Sequence, residues 1–151
     1  MDIVKAALES SGVEYELIHH EQHLCSAADG AAFFGIDPGQ TAPTLIAETD
    51  HGYVSIIFSG SRSHLDFKQT AASIGSAKFQ LAKRNKLREI TGFDAGDMPM
   101  VGLDMPVLFD KRLFQYSFVY GGSGLANRTL KISPILLARL NHVIAYLEDD
   151  D

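Results

Sequence analysis

Two apolar runs in the middle of the chain, Thr44–Thr49 and 53–58, are separated only by Asp50, His51 and Gly52. Turn-forming residues between β-rich runs predict a hairpin. Both runs are nearly continuous in apolar residues, so burial on both faces is expected, as at the centre of a domain. Before them, Ile3, Val4, Ala7 and Leu8 recur at helical spacing. They predict a helix over 2–11, with Asp2 as its cap and Gly12 as a left-handed stop. Over 14–19, Tyr15, Leu17 and His19 alternate with Glu14, Glu16 and Ile18, an imperfect half-buried strand. Ser26 with Asp29 resembles a capping box and starts a helix over 27–34, which Gly35 closes. A connection rich in Pro, Gly, Asp and Thr over 36–43 leads into the hairpin.

After Gly60 the polar stretch Ser61-Arg62-Ser63-His64 reads as a loop. Asp66 is placed to cap a helix over 67–74, ended by Gly75. A short strand is expected over 79–81, then a basic helix over 82–90 that stops at Thr91-Gly92. Residues 94–106 carry breaks at Gly96, Pro99 and Gly102 and read as a loop. Strands are expected over 107–109, 114–120 and 129–132, with Gly121-Gly122-Ser123-Gly124 between the last two. Ser133-Pro134 starts a final helix expected to reach about Leu147. No repeat, low-complexity segment or linker interrupts this order.

The chain has 151 residues, which suggests one domain over 1–151. Hydrophobic content of 46% and charged content of 21% are ordinary for a soluble globular protein. The apolar runs are too short to span a bilayer, so no membrane association is expected. Met1-Asp2 opens an acidic segment with no basic n-region, so no secretory signal is expected. One cysteine, Cys25, excludes an internal disulfide and fits a reducing, cytoplasmic setting.

Charge changes the picture through its distribution. Residues 1–61 hold nine acidic side chains and one basic, whereas 62–147 hold twelve basic and six acidic. The tail 148–151 is entirely acidic, and the net charge is −6. An acidic chain is a poor non-specific nucleic-acid binder, but a local basic face can contact a phosphate backbone. The densest candidate holds Lys83, Arg84, Lys86 and Arg88, with the alternative that it is a solvated helix face.

The order of these pieces carries a resemblance. They are His20 with the Ser26 helix, Thr44-Leu45-Ile46, Leu65-Asp66-Phe67-Lys68, Thr91-Gly92-Phe93 with Gly96, and Tyr120-Gly121-Gly122. Together they resemble the YbaK/EbsC family, trans-editing aminoacyl-tRNA deacylases related to the editing domain of bacterial prolyl-tRNA synthetase. The resemblance covers nearly the whole chain. It implies an α/β fold with a mixed, strongly curved, barrel-like sheet wrapped by helices. The implied activity is hydrolysis of the ester joining a wrong amino acid to the tRNA 3′ ribose. No cofactor or metal is implied; the partners would be the acceptor end of mischarged tRNA and an aminoacyl-tRNA synthetase.

Such editing sites carry little side-chain machinery. Glycine-rich backbone admits the aminoacyl group closely, and backbone N–H groups stabilise the oxyanion as water attacks. The resemblance assigns that role to Gly96, Gly102, Gly121 and Gly122. It assigns substrate contacts to His20, Ser26, Pro43, Thr44 and Asp97, and tRNA contacts to Lys83, Arg84, Lys86 and Arg88. The alternative for the glycines is that they only make turns.

Two positions depart from the family pattern. The family lysine before the Thr of the first hairpin strand is replaced by Pro43, which offers neither charge nor backbone donor. The second glycine of the middle loop is replaced by Asp97, an anion that repels phosphate. Lys68 or Arg62 is the expected substitute cation. The alternative function is a catalytically silent member that binds a small ligand or RNA; a third is a protein-interaction domain using the acidic N-terminal half.

Three further constellations are weaker. His19, His20 and His23 have zinc-ligand chemistry, but neighbouring strand residues point to opposite faces and no second ligand cluster is evident. Cys25 precedes a helix start that would stabilise a thiolate, with His23 as a partner base. Ser61, His64 and Asp66 have triad residue types, without a nucleophile elbow.

Overall fold

The computed structural model describes residues 2–22, 24, 26–62 and 64–148. Helix α1 (Asp2–Ser11) and strand β1 (Tyr15–His19) come first, followed by α2 (Ala27–Phe34). Ser26 Oγ caps α2 by accepting from Asp29 N at 3.1 Å, and Gly35 ends it at φ 66°. A two-residue strand β2 (Thr41–Ala42) follows, then the hairpin β3 (Thr44–Thr49) and β4 (Gly52–Ile57). Helix α3 (Phe67–Ser73) is capped by Asp66 Oδ1, which accepts from Gln69 N at 3.0 Å. The chain continues through β5 (Phe79–Leu81), α4 (Leu87–Thr91), β6 (Val107–Asp110), β7 (Val119–Gly122), β8 (Arg128–Ile132), α5 (Pro134–Leu140) and β9 (Val143–Leu147).

The expected mixed α/β architecture takes the form of two mixed sheets. One has the order β1-β8-β7-β2, the other β5-β3-β4-β6-β9. β2 runs parallel to β7 in the first sheet, with Ala42 beside Gly121. β3 then pairs antiparallel with β4 in the second, with Thr44 opposite Ile57. Pro43 is therefore the residue at which the chain passes from one sheet to the other. Its missing N–H leaves nothing unpaired at this crossing, while its carbonyl accepts from Phe58 N at 3.1 Å.

The hairpin is central, as its apolar runs predict. Val54, Ser55, Ile56 and Ile57 are all buried, and β4 is flanked by β3 and β6. The main core brings Leu8 of α1, Ile57, Phe109, Leu130, Ile132 and Leu137 together from both sheets and two helices. Each such side chain contributes about 1.5–3 kcal/mol on burial. Leu130 and Ile132 point inward, so Thr129 and Lys131 of β8 face outward, beside Gly122 and Tyr120 of β7.

Three expected elements differ. The strand expected over 114–120 is a 3-10 helix, Lys111–Gln115, followed by β7 from Val119. Asp110 caps that turn by accepting from Arg112 N at 3.0 Å, and Leu113 is buried in the core; this local capping overrides strand propensity. The final helix stops at Leu140 rather than near Leu147. Asn141 Nδ2 donates to the carbonyls of Leu137 and Met100, both at 3.0 Å, which ties the chain down there. Residues 143–147 then pair with β6 as a parallel edge strand. The basic helix expected over 82–90 is a 3-10 turn, Arg84–Lys86, joined to the short α4, where Leu87 is the buried anchor. Among the described residues, no helix is long and apolar enough to cross a membrane.

Candidate active site

A cavity of about 260 Å³ opens at the sheet crossing. Thr41, Ala42, Pro43 and Thr44 line it along the crossing itself. A first wall comes from α2, β7 and β8, through Ser26, Phe34, Tyr120, Gly122 and Thr129 on the outward side and the backbone of Gly121. A second comes from the segment 84–98, through Arg84, Ala95, Gly96, Asp97 and Met98.

Gly121 and Gly122 have a packing reason that their sequence does not announce. A Cβ on Gly122 would collide with the Met98 carbonyl oxygen, and one on Gly121 would strike Met100 Sδ and stand 2.7 Å from the Ala42 carbonyl. Met100 N donates to the Gly122 carbonyl at 3.1 Å. Bare backbone is required here so that the segment 98–100 can lie against β7. Gly121 is flanked by Ala42 and Leu130 on its two sides, so its peptide groups sit within the sheet.

His20 is 4% exposed. Its Nδ1 lies 2.6 Å from the Gln22 carbonyl and its Nε2 2.8 Å from Thr129 Oγ1. A carbonyl only accepts, so Nδ1 donates to Gln22, and Nε2 shares the second hydrogen bond with the Thr129 hydroxyl. Ring contacts with Phe33 and Phe34 at 5.6 and 6.3 Å fix its plane. His20 thus holds Thr129, a cavity residue, in one orientation. Thr44 provides the opposite case. Among the described residues, its Oγ1 is the one buried side-chain oxygen or nitrogen without a hydrogen-bond partner. An unmet hydroxyl costs about 1–3 kcal/mol unless something binds it.

The cavity therefore unites His20, Ser26, Pro43, Thr44, Gly96, Asp97, Gly121 and Gly122. Gly102 is elsewhere: at φ 90° its missing Cβ would lie 3.0 Å from the Ile3 carbonyl, so it serves the packing of α1. Lys68 is exposed on α3 and does not line the cavity. Arg62 is already committed. Its Nε and Nη2 donate to Asp110 Oδ2 and Oδ1, both at 2.9 Å, and its Nη2 also reaches the Glu148 carbonyl at 2.8 Å. Asp110 is fully buried and accepts Ser59 N as well, at 2.9 Å. Neither expected substitute for the missing lysine is therefore at the site. The cations that line the cavity are Arg84 and Arg128.

Of the basic segment, Lys83, Arg84, Lys86 and Arg88 are exposed, and only Arg84 lines the cavity. Arg88 Nε donates to Asp94 Oδ1 at 3.1 Å; the Asp94 hydrogen bonds raise the guanidinium above its ordinary value, with Asp97 acting in the same direction. Sequence reasoning missed Arg128, Phe34, Tyr120 and Thr129. Strand alternation around Leu130 and Ile132 is the signal that puts Thr129 outward; nothing local marks Arg128, whose Nη1 donates to His19 Nδ1 across the strand pair.

The weaker constellations do not assemble. His19 is exposed on β1 while His20 is buried, and among the described residues no three His, Cys, Asp or Glu form a metal-binding group. His23 and Cys25 lie outside the described residues, as does Ser63. Asp66 is spent as the α3 cap, and Ser61 Oγ is 2.9 Å from Ser59 Oγ.

A family model described as an aminoacyl-tRNA editing domain matches residues 21–140. The fold is similar to that of the hypothetical protein APE2540, with a TM-score of 0.88 and 24% identity over 95% of this chain and 97% of that one. It is also similar to a proposed trans-editing enzyme for prolyl-tRNA synthetase, with a TM-score of 0.84 and 24% identity over 95% of this chain and 92% of that one. No curated protein matches the sequence. With the family match spanning the hairpin and both walls of the cavity, this chain belongs to the aminoacyl-tRNA editing domain family.

Proposed function

We propose that this protein hydrolyses the ester between a mischarged amino acid and the 3′ ribose of tRNA. The observation that carries the reading is the buried, unpartnered Thr44 hydroxyl in a cavity bounded by glycine backbone and two arginines. Thr44 Oγ1 is turned away from solvent, so in this reading it rotates toward the cavity to hold the attacking water against the ester carbonyl. The water oxygen bonds to the carbonyl carbon, the bond to the ribose oxygen breaks, and that oxygen takes up a proton. The products are a free amino acid and tRNA with a 3′ hydroxyl.

Peptide N–H groups of the turn at Gly96 stabilise the oxyanion in this reading. Gly121 and Gly122 act differently, by letting the segment 98–100 lie against β7 and so setting the shape of the cavity. Arg84 and Arg128 supply the positive charge that Pro43 lacks, while Lys83 and Lys86 meet the acceptor-arm phosphates.

The test is deacylation under excess protein, with tRNA-Pro charged with Ala or Cys and with other mischarged pairs. Ester loss well above a no-protein control supports the reading. No loss with any pair, from folded protein, favours the second reading, a silent member that binds without hydrolysing. Pro43 at the crossing is the observation on that side.

A further inference from the structure

β9 closes one end of the five-stranded sheet, and among the described residues β6 is the strand that pairs with it. Its outer edge therefore presents peptide groups with no strand partner. Edge strands are ordinarily blunted by lysine, proline or an inward-pointing charge. The run Val143-Ile144-Ala145-Tyr146-Leu147 has none of these. The register shift against β6 lies at its start, and residues 145–147 pair with β6 without a break. Ile144 and Tyr146, two positions apart, share one face of the strand, and each is 44% exposed. Tyr146 extends an aromatic cluster there. Its ring centroid is 6.1 Å from that of Phe114, itself 39% exposed, and 6.4 Å from that of the buried Phe109. A bare strand edge and an apolar patch thus stand side by side. None of these residues lines the cavity.

The charges that flank the strand decide what fits it. Before it come Arg139 and His142, both exposed. After it come Glu148 and three aspartates at 149–151. A strand added antiparallel here matches these flanks when it carries base before its apolar run and acid after it. β9 of a second copy has that order. With the two-fold axis at Ala145, Ile144 faces the partner's Tyr146 and Tyr146 faces the partner's Ile144, all on one face of the sheet. His142 then faces the partner's Glu148, and the acidic tail of each copy runs toward Arg139 of the other. The two tails start about 20 Å apart, at about 3.3 Å per residue, which exceeds the screening length of about 8 Å at physiological salt. Parallel pairing would instead set them side by side at about 5 Å.

We propose that β9 is the contact of a homodimer, in which two copies pair antiparallel about Ala145 and join their five-stranded sheets into one. A five-residue strand and its patch make a small interface, so association in the range of roughly 1–100 μM is expected. The proposal stands independently of the deacylase reading, because it uses no residue of the cavity.

The experiment is sedimentation of the full chain from about 1 to about 500 μM, a span that brackets the expected association. A shift from monomer to dimer is expected. Tyr146→Lys and Ile144→Lys each place a charge at two symmetric positions of the contact, and each is expected to weaken association about tenfold or more while the urea midpoint holds. Tyr146→Phe is expected to retain the dimer. Register is read by cross-linking, with Ala145→Cys and His142→Cys each combined with Cys25→Ser. Air oxidation with copper-phenanthroline is expected to join two copies of the Ala145→Cys protein, whose thiols face each other at the axis. It is expected to leave the His142→Cys protein unlinked, since its thiols stand about 20 Å apart. A monomer at every concentration overturns the proposal. So does a dimer that both lysine variants leave intact, which puts the contact on another surface. No link in the Ala145→Cys protein, or a link in the His142→Cys protein, overturns the antiparallel pairing about Ala145.

Discussion

On the wall made by α2, β7 and β8, the aromatic residues and Thr129 are each held by something rigid. Tyr120 lies between strands, Phe34 leans on it at 5.0 Å, and Thr129 is fixed by the buried His20. On the wall made by 84–98, the cavity residues stand on two short 3-10 turns, Arg84–Lys86 and Ala95–Asp97. Only a few anchors, Leu87 and Met98 with Ile46, pack that segment onto β3. The first wall is mainly aromatic, with Arg128 of β8 as its cation, and is positioned by tertiary packing. The second carries Arg84 and Asp97 and is positioned by a loop. The contrast teaches that shape is specified on the sheet, while a charge can be presented from a loop as well as from a strand.

The largest effect expected from breaking this scaffold lies outside the cavity. Arg62→Met leaves the buried Asp110 carboxylate without its bidentate partner and is expected to cost about 3–5 kcal/mol in urea unfolding. A substrate-contact role would instead leave stability untouched. Gly122→Ala attacks the rigid wall directly. Its Cβ meets the Met98 carbonyl, so a loss of about 1–3 kcal/mol is expected from the shifted backbone, together with lost deacylation.

Thr44→Val sharpens the comparison because stability and activity should move in opposite directions. Removing an unpartnered buried hydroxyl is expected to raise stability by up to about 1 kcal/mol, whereas single-turnover deacylation falls about tenfold to a hundredfold. Thr44→Ser is expected to restore activity. On the charged wall, Arg84→Gln should leave unfolding unchanged, since the side chain is exposed, and lower the salt slope of tRNA binding by about one.

The smallest effect concerns Glu48, whose carboxyl Lys78 holds below its ordinary 4.5 by hydrogen bonding. A depressed folded-state value means that this contribution is complete above 4.5 and disappears as pH falls through the folded value. Lys78→Met is expected to return the carboxyl upward in an NMR titration, with no measurable change in tRNA binding. The pair lies outside the cavity, so altered binding would show that charge is sensed beyond the second wall.

Much of this molecule was written locally. Apolar spacing located the hairpin, Ser26 and Asp66 capped the helices they were expected to cap, and Gly35 stopped α2 in the left-handed region. The order of His20, Thr44, Gly96 and Gly121 then identified the family, and the cavity brings those four together. The failures came where a distant partner decided the outcome. Residues 143–147 are apolar enough for helix or strand; pairing with β6 and the Asn141 bonds to Met100 and Leu137 chose strand.

The sequence by itself determined the elements whose cause lies within one turn or one strand: caps, glycine stops, alternation and the burial of β4. Tertiary structure alone decided which cation serves the cavity. Arg62 and Arg128 look alike in the chain, yet one is drawn into a buried ion pair with Asp110 and the other stands at the mouth of the site. That choice depends on which carboxylate lies within 3 Å after folding, and residues 48 positions apart carry no local trace of it.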